Sequence, residues 1–131
     1  MNALHQYQSV SAQTSVVDAD RHQLIQLLLD GFLERVNMAK ARITAKDYEG
    51  KNKLINKSIE IVAALRGFLD VDQGGELARN LSDLYAYCER RLFEANLRND
   101  IDALDEVASH IKKIQEAWKG IREDAKSQGL I

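Results

Sequence analysis

Apolar residues recur at the three- and four-residue spacing of an α-helix in four separate stretches of the chain. These stretches cover about residues 20–44, 48–69, 75–98 and 100–125. No stretch alternates apolar and polar residues strictly enough to indicate a β-strand. Four amphipathic helices joined by short polar turns predict an all-α fold, an antiparallel four-helix bundle.

Polar residues between the stretches predict where the helices begin and end. Asp47 can cap the second helix, and either Asn99 or Asp100 can cap the fourth, because these side chains accept hydrogen bonds from free N–H groups at a helix start. The turn "DVDQGG" separates the second helix from the third. Residues 1–18 are polar with scattered apolar positions, which predicts a short N-terminal arm or cap followed by one helical-bundle domain over residues 19–131.

The apolar stripes differ in width. A helix that faces one core needs an apolar arc of a little over 100°, whereas the first stretch spreads its apolar residues over about 240°. The apolar residues outside the core arcs are Leu27, Leu29 and Leu33 in the first stretch and Tyr87, Phe93 and Leu97 in the third. Such a surplus indicates a partner site, a dimer interface or a place where the arm folds back. The alternative is that loops and the stems of Arg and Lys cover it.

Seven residues are candidates for contact with a partner. Four of them exceed the core arcs of their helices, namely Leu27, Leu33, Tyr87 and Phe93. The other three lie in the arm and are Leu4, Tyr7 and Val10. Their spacing of three places them on one side of a short helix that can shield the apolar surface, and the alternative is that the arm is disordered.

Charge and composition restrict the partners. The 131 residues include 18 basic and 20 acidic ones, interspersed along the chain, so no basic stripe is available for nucleic acid. Residues 1–15 contain no Lys or Arg and no apolar run, and no segment has the length needed to span a bilayer. The single cysteine requires no oxidising compartment. We therefore expect a cytoplasmic protein with no nucleic-acid partner and no membrane insertion.

The side chains that could carry chemistry are scattered. A di-iron bundle needs two Glu-x-x-His pairs, but the chain offers only Glu106 and His110, at a spacing of four. Cys88 lies in the middle of an apolar arc, which predicts a buried hydrophobe and not a nucleophile. Trp118 continues the fourth stripe and is predicted to be a core anchor whose indole N–H needs an acceptor. We expect no enzyme activity, no metal and no cofactor.

Five segments, in this order and spacing, carry a resemblance to a known family. They are Tyr7 in the arm, "LIQLLLDGFLERVNMAKA", "KNKLINKSIEIVAAL", "LDVDQGGELARNLSDLYAYCERRLFEAN" and "DALDEVASHIKKIQEAW". The block "GGELARNLSDLY", followed by "LFEAN" and an aspartate, is the most specific of these features. Over residues 7–118 the chain resembles the FliS family of flagellar secretion chaperones.

The resemblance implies a cytoplasmic helical bundle that binds the C-terminal segment of newly made flagellin. Such a protein prevents premature polymerisation of flagellin and helps to deliver it to the export gate of the flagellar secretion apparatus, without nucleotide or metal. The family's N-terminal tyrosine lies on the free bundle and rearranges when flagellin binds, and Tyr7 is the position that matches it. The alternative function is a self-associating structural bundle, whose surplus surface forms a homodimer interface and which has no client.

Overall fold

Four α-helices make up the fold. The computed structural model describes the backbone of residues 17–120 and the side chains of residues 21–120. The helices are α1 (Val17–Thr44), α2 (Tyr48–Gly67), α3 (Val71–Arg98) and α4 (Ile101–Trp118). Residues 17–120 contain no β-strand, so the prediction of an all-α fold is confirmed.

The helices are arranged as a square. α1 packs against α2 and α4, and α3 packs against the same two neighbours. The Nζ atom of Lys40, near the end of α1, lies 2.7 Å from a carboxylate oxygen of Asp105, near the start of α4. The opposite ends of these two helices also meet, because His22 contacts Trp118. With connections of two or three residues between successive helices, the result is an antiparallel four-helix bundle.

Aspartate side chains begin three of the helices, as the sequence suggests for two of them. Asp47 accepts a hydrogen bond from the N–H of Gly50 at 3.0 Å and caps α2. Asp100 accepts one from the N–H of Ala103 at 3.1 Å and caps α4. Asn99, the other candidate for that cap, instead ends α3 in the left-handed conformation with φ 53°.

The sequence predicts that the third helix begins at about residue 75, whereas α3 begins at Val71. Asp70 caps a helical turn that begins at Val71, and Gly75 then interrupts the helix with φ 58° and ψ −135°. The glycine pair therefore lies inside the helix span as a break. The other end of this connection also differs, since α2 ends at Gly67 and not at residue 69.

The buried arc of α1 is wider than the core arc predicted from its sequence. Leu29, expected outside the core arc of α1, is fully buried, and Leu33 packs against the core while partly buried. The physical reason is that α1 has two neighbours, so its buried arc spans the seams with both α2 and α4. Conversely, Leu77, an apolar residue of α3, is 47% exposed and lies just after the break at Gly75.

A buried lysine joins α2 to α3. Lys51 is 3% exposed, and its Nζ atom donates a hydrogen bond to the carbonyl oxygen of Asn96 at 2.7 Å. Burial lowers the pKa of Lys51 because the charged ammonium loses solvation. No pattern in the sequence signals this contact, since the two residues belong to different helices.

Candidate functional site

An apolar cavity of about 240 Å³ lies at one end of the bundle. All four helices and the connection between α2 and α3 contribute to it. Its lining residues are Ile25, Leu65, Leu69, Leu77, Leu81, Tyr85, Ile114, Ala117 and Trp118. The half-exposed Leu77 shows that the cavity opens to solvent on the side of α3. Such a recess suits apolar side chains of a partner, and it offers little to a polar substrate.

The cavity is formed where helix ends converge. It is lined from the start of α1, the end of α2, the start of α3 and the end of α4, as the antiparallel order requires. Tyr85 and Trp118 form buried parts of the wall, with exposures of 4% and 6%. Burial raises the pKa of Tyr85, so its hydroxyl stays protonated across the physiological range.

A reciprocal contact between His22 and Trp118 fixes one wall of the cavity. The His22 ring stacks on the indole at a centroid distance of 4.8 Å, and its Nε2 atom lies 2.8 Å from the carbonyl oxygen of Trp118. The indole Nε1 atom donates to the carbonyl oxygen of His22 at 3.0 Å. The prediction that Trp118 is a core anchor with an acceptor for its N–H is confirmed. The contact joins the start of α1 to the end of α4.

A second groove runs between α1 and α2, with a volume of about 440 Å³. It is more polar, and its lining residues are Leu27, Asp30, Gly31, Glu34, Arg35, Met38 and Leu54. The guanidinium of Arg35 donates to the carbonyl oxygen of Gly31 at 3.1 Å and so lies inside the groove. Leu27 and Met38 are 44% and 42% exposed, which makes this the second exposed apolar region.

A polar cluster closes the seam between α3 and α4. Glu106 accepts hydrogen bonds from the Tyr87 hydroxyl and from Nε of Arg91, the latter at 2.8 Å, and Nε2 of His110 lies 3.6 Å from it. The hydrogen bond from Tyr87, followed by the one from Arg91, lowers the pKa of Glu106. The same bond raises the pKa of Tyr87. Glu106 is thus ionised at neutral pH and holds the two helices together.

The four candidate contact residues that lie in the described part of the chain, Leu27, Leu33, Tyr87 and Phe93, do not form one surface. At 100° per residue, Leu27 and Leu33 lie about 120° apart on α1. Leu27 lines the groove beside α2, whereas Leu33 packs against the core. On α3, Tyr87 faces α4, whereas Phe93 lies about 120° away and is 66% exposed. The three candidates in the arm, Leu4, Tyr7 and Val10, lie outside the described residues.

The cavity was not found from the sequence, although most of its residues were assigned to apolar stripes. Periodicity separates buried from exposed faces, but it gives no indication that the stripes diverge where the helices end. A partial signal was present in "DVDQGG", because adjacent glycines beside apolar residues mark a change of chain direction.

The described residues offer little for catalysis. Residues 17–120 contain no group of three or more His, Cys, Asp or Glu side chains placed to hold a metal ion. Cys88 is fully buried, and burial, together with the charges of Glu106 and Glu89, raises the pKa of its thiol to about 12. In the same part of the chain, none of the helices combines the length and apolar character required to cross a membrane.

Fold and site together define a class of protein, a helical bundle with an open apolar recess and no evident catalytic group among its described residues. Comparison with known proteins identifies the family. The model of the family described as "Flagellar protein FliS" matches residues 3–125. The chain belongs to the FliS family of flagellar secretion chaperones, a family of chaperones and not a class of enzymes.

Similar proteins cover almost the whole chain. The flagellar secretion chaperone FliSB of Pseudomonas aeruginosa is 46% identical over 121 residues, which are 92% of this chain and 96% of that protein. The flagellar secretion chaperone FliS of Salmonella typhimurium is 42% identical over 123 residues, 93% of this chain and 91% of that protein. FliS of Escherichia coli is 37% identical over 114 residues, 86% of this chain and 84% of that protein.

Proposed function

We propose that this protein is a cytoplasmic export chaperone that binds the C-terminal segment of newly made flagellin. It prevents premature polymerisation of flagellin and aids its delivery to the flagellar export gate. Membership of the FliS family supports a flagellar client. The observation that carries the proposal is the apolar cavity of about 240 Å³, which is large enough for side chains of a client helix.

The client binds by ordering on the bundle surface. An amphipathic segment inserts its apolar side chains into the cavity beside Leu77 and Leu81, and the burial of apolar area offsets the entropy lost on ordering. Each buried CH₂ group contributes about 0.8 kcal/mol. Leu27 in the α1–α2 groove and the exposed Phe93 are secondary contacts, because both keep apolar area accessible. Such a mode gives extensive contact while allowing release at the export gate.

Two of the candidate contact residues have other roles in the bundle as described. Leu33 packs against the core, and the hydroxyl of Tyr87 donates to Glu106. In the proposal they support the bundle and contact the client only at their exposed edges. The cavity is a better contact site than Leu33 or Tyr87, because a client can bury only the apolar area that the free protein exposes.

The arm shields the cavity until flagellin arrives. Sixteen residues precede Val17, and a chain of that length can span up to about 55 Å, enough to reach any point at this end of the bundle. Leu4, Tyr7 and Val10 supply its apolar contacts, and Tyr7 is the residue that flagellin displaces. The arm thus competes with the client for the same recess.

The alternative is a self-associating structural bundle without a client. The observation that favours it is the pair Phe93 and Leu97 on α3, which are 66% and 74% exposed and neighbours on the helix surface at a spacing of four. Two side chains give far less area than the roughly 800 Å² per partner of a stable dimer. This shortfall places the homodimer second.

Titration calorimetry with the C-terminal segment of flagellin from the same organism tests the proposal, read alongside circular dichroism of the mixture. We expect one-to-one binding and a gain of helix beyond the sum of the two components, with the affinity altered by Tyr7→Ala. Absence of heat at tens of micromolar, together with a mass that doubles with concentration, would establish the homodimer instead.

A further inference from the structure

Gly75 and Asn99 both have positive φ, but their backbone conformations differ. The φ of 58° and ψ of −135° at Gly75 are the mirror image of an extended conformation, which glycine adopts freely and L-residues do not. Asn99, with φ 53° and ψ 46°, lies instead in the ordinary left-handed region that ends many helices. The chain therefore requires glycine at position 75 for its conformation.

A lack of room for a side chain does not explain why residue 75 is a glycine. A Cβ atom built on Gly75 has no neighbouring heavy atom within 4 Å, so a methyl group there meets no other residue. An alanine at this position would consequently act through its backbone preference alone. This makes the effect of the conformation separable from the effect of packing.

The break at Gly75 separates α3 into a short turn and a long helix. The turn of residues 71–74 is held by Asp70, whose side chain accepts from the N–H of Gln73 at 3.0 Å and whose carbonyl oxygen accepts from the N–H of Gly74 at 2.7 Å. Because the turn is fixed by its own hydrogen bonds, its direction relative to the long helix depends on φ and ψ of Gly75.

Two wall residues of the cavity stand on opposite sides of this break. Leu69 precedes the capped turn, and Leu77 follows Gly75 by two residues. Leu77 is half exposed at the cavity opening. The conformation of Gly75 therefore determines where Leu77 stands relative to Leu69 and how far the recess is open.

We propose that Gly75 is a positioning residue of the cavity. Its glycine-specific conformation holds the wall formed by Leu69 and Leu77 in the position that receives apolar side chains. That the occupant is a helix of flagellin rests on the proposed function, whereas the positioning of the wall does not. A protein in which residue 75 prefers a helical conformation would extend α3 through the break and turn Leu77 away from this position.

The first test compares Gly75→Ala with Gly67→Ala. Gly67 is a matched control, because it lies in the last turn of α2 and a Cβ there also has nothing within 4 Å, but its conformation is helical. Binding is measured for the flagellin segment by calorimetry and for the apolar dye anilinonaphthalene sulfonate by fluorescence. Trp118, the sole tryptophan and a wall residue, reports on the cavity directly.

Gly75→Ala is expected to weaken binding of both probes about tenfold, because the receiving conformation becomes the minor one. Gly67→Ala should remain within about twofold of the unchanged protein, as expected for a helical site with free space. Equal or tighter binding by Gly75→Ala would overturn the proposal. If neither the unchanged protein nor the variants bind the flagellin segment, the proposed function fails, and the dye titration still decides the role of Gly75.

A second variant separates positioning from a general loss of structure. D-Alanine at position 75, introduced by chemical ligation at the native Cys88, has the same atoms as L-alanine but prefers positive φ. We expect it to bind both probes at least as tightly as the glycine form. A D-alanine protein as weak as the L-alanine protein would show that the methyl group, and not the conformation, is responsible.

Discussion

Glu106 shows how a single side chain can join two helices of the bundle. It accepts from Tyr87 and Arg91 of α3 while standing on α4, and His110 lies one turn further along its own helix. The sequence offers only the i, i+4 pair Glu106 and His110, since the two α3 partners are 15 and 19 residues away. Such a cluster of titratable groups resembles an active site in composition, but its groups bind one another and line neither the apolar cavity nor the α1–α2 groove.

The lowered pKa of Glu106 predicts how stability depends on pH. The folded state stabilises the ionised carboxylate, so it binds fewer protons than the unfolded state, in which the pKa of a glutamate is about 4.3. The stabilisation is therefore present above this pH and is lost as the pH falls through the folded pKa. We expect Glu106→Gln to lower the free energy of unfolding at pH 7, and this difference to shrink in acid.

Urea unfolding followed by circular dichroism at neutral and acidic pH measures this dependence. Glu116→Gln is the matched control, because Glu116 is an exposed residue of the same helix. The control should leave the unfolding free energy unchanged within about 0.5 kcal/mol at both pH values. A difference between the two variants that persists or grows in acid would contradict the role assigned to Glu106.

At the scale of the helices, local sequence patterns were sufficient to predict that four helices exist, but they were insufficient to predict the contacts between them. The caps at Asp47 and Asp100 were predictable because a cap is made within three residues of the helix start. The burial of Leu29 and Lys51 was not, since it depends on which neighbours flank a helix. Gly75 lies between these cases, because the glycine pair was visible as a turn but its place inside a helix span was not.

The contact between α1 and α4 predicts the effect of His22→Ala. The substitution removes the ring that stacks on Trp118 and the hydrogen bond to its carbonyl oxygen, while the bond from the indole to the backbone of residue 22 can remain. We expect a loss of about 1 kcal/mol in the free energy of unfolding. Thermal and urea unfolding measure it, and Trp118 fluorescence should shift to longer wavelength as the indole gains solvent.

Gln23→Ala provides the control for this variant, because the neighbouring Gln23 is exposed. Its effect should stay within about 0.5 kcal/mol. Equal losses in the two variants would contradict the role of the His22–Trp118 stacking in holding the cavity wall.

At the scale of the whole molecule, the antiparallel order creates the candidate site. Because successive helices alternate in direction, one end of the bundle collects the start of α1, the break in α3 and the Trp118 end of α4. The family was recognisable from the order of the sequence motifs. The recess could be found only from the three-dimensional structure, because the residues that line it are distant from one another in the chain. The surplus apolar residues that first indicated a partner lie partly elsewhere, in the α1–α2 groove and at Phe93.

The most direct test of the account compares two substitutions of exposed leucines on α3 for binding of the flagellin segment. Leu77→Asp places a carboxylate at the cavity opening, and Leu97→Asp makes the same chemical change at the far end of the helix, where the side chain is 74% exposed. Calorimetry should show at least about a tenfold loss of affinity for Leu77→Asp, because a buried carboxylate is strongly disfavoured in an apolar recess. Leu97→Asp should bind nearly as the unchanged protein does. Unimpaired binding by Leu77→Asp, or an equal loss in both variants, would contradict the assignment of the cavity as the client site.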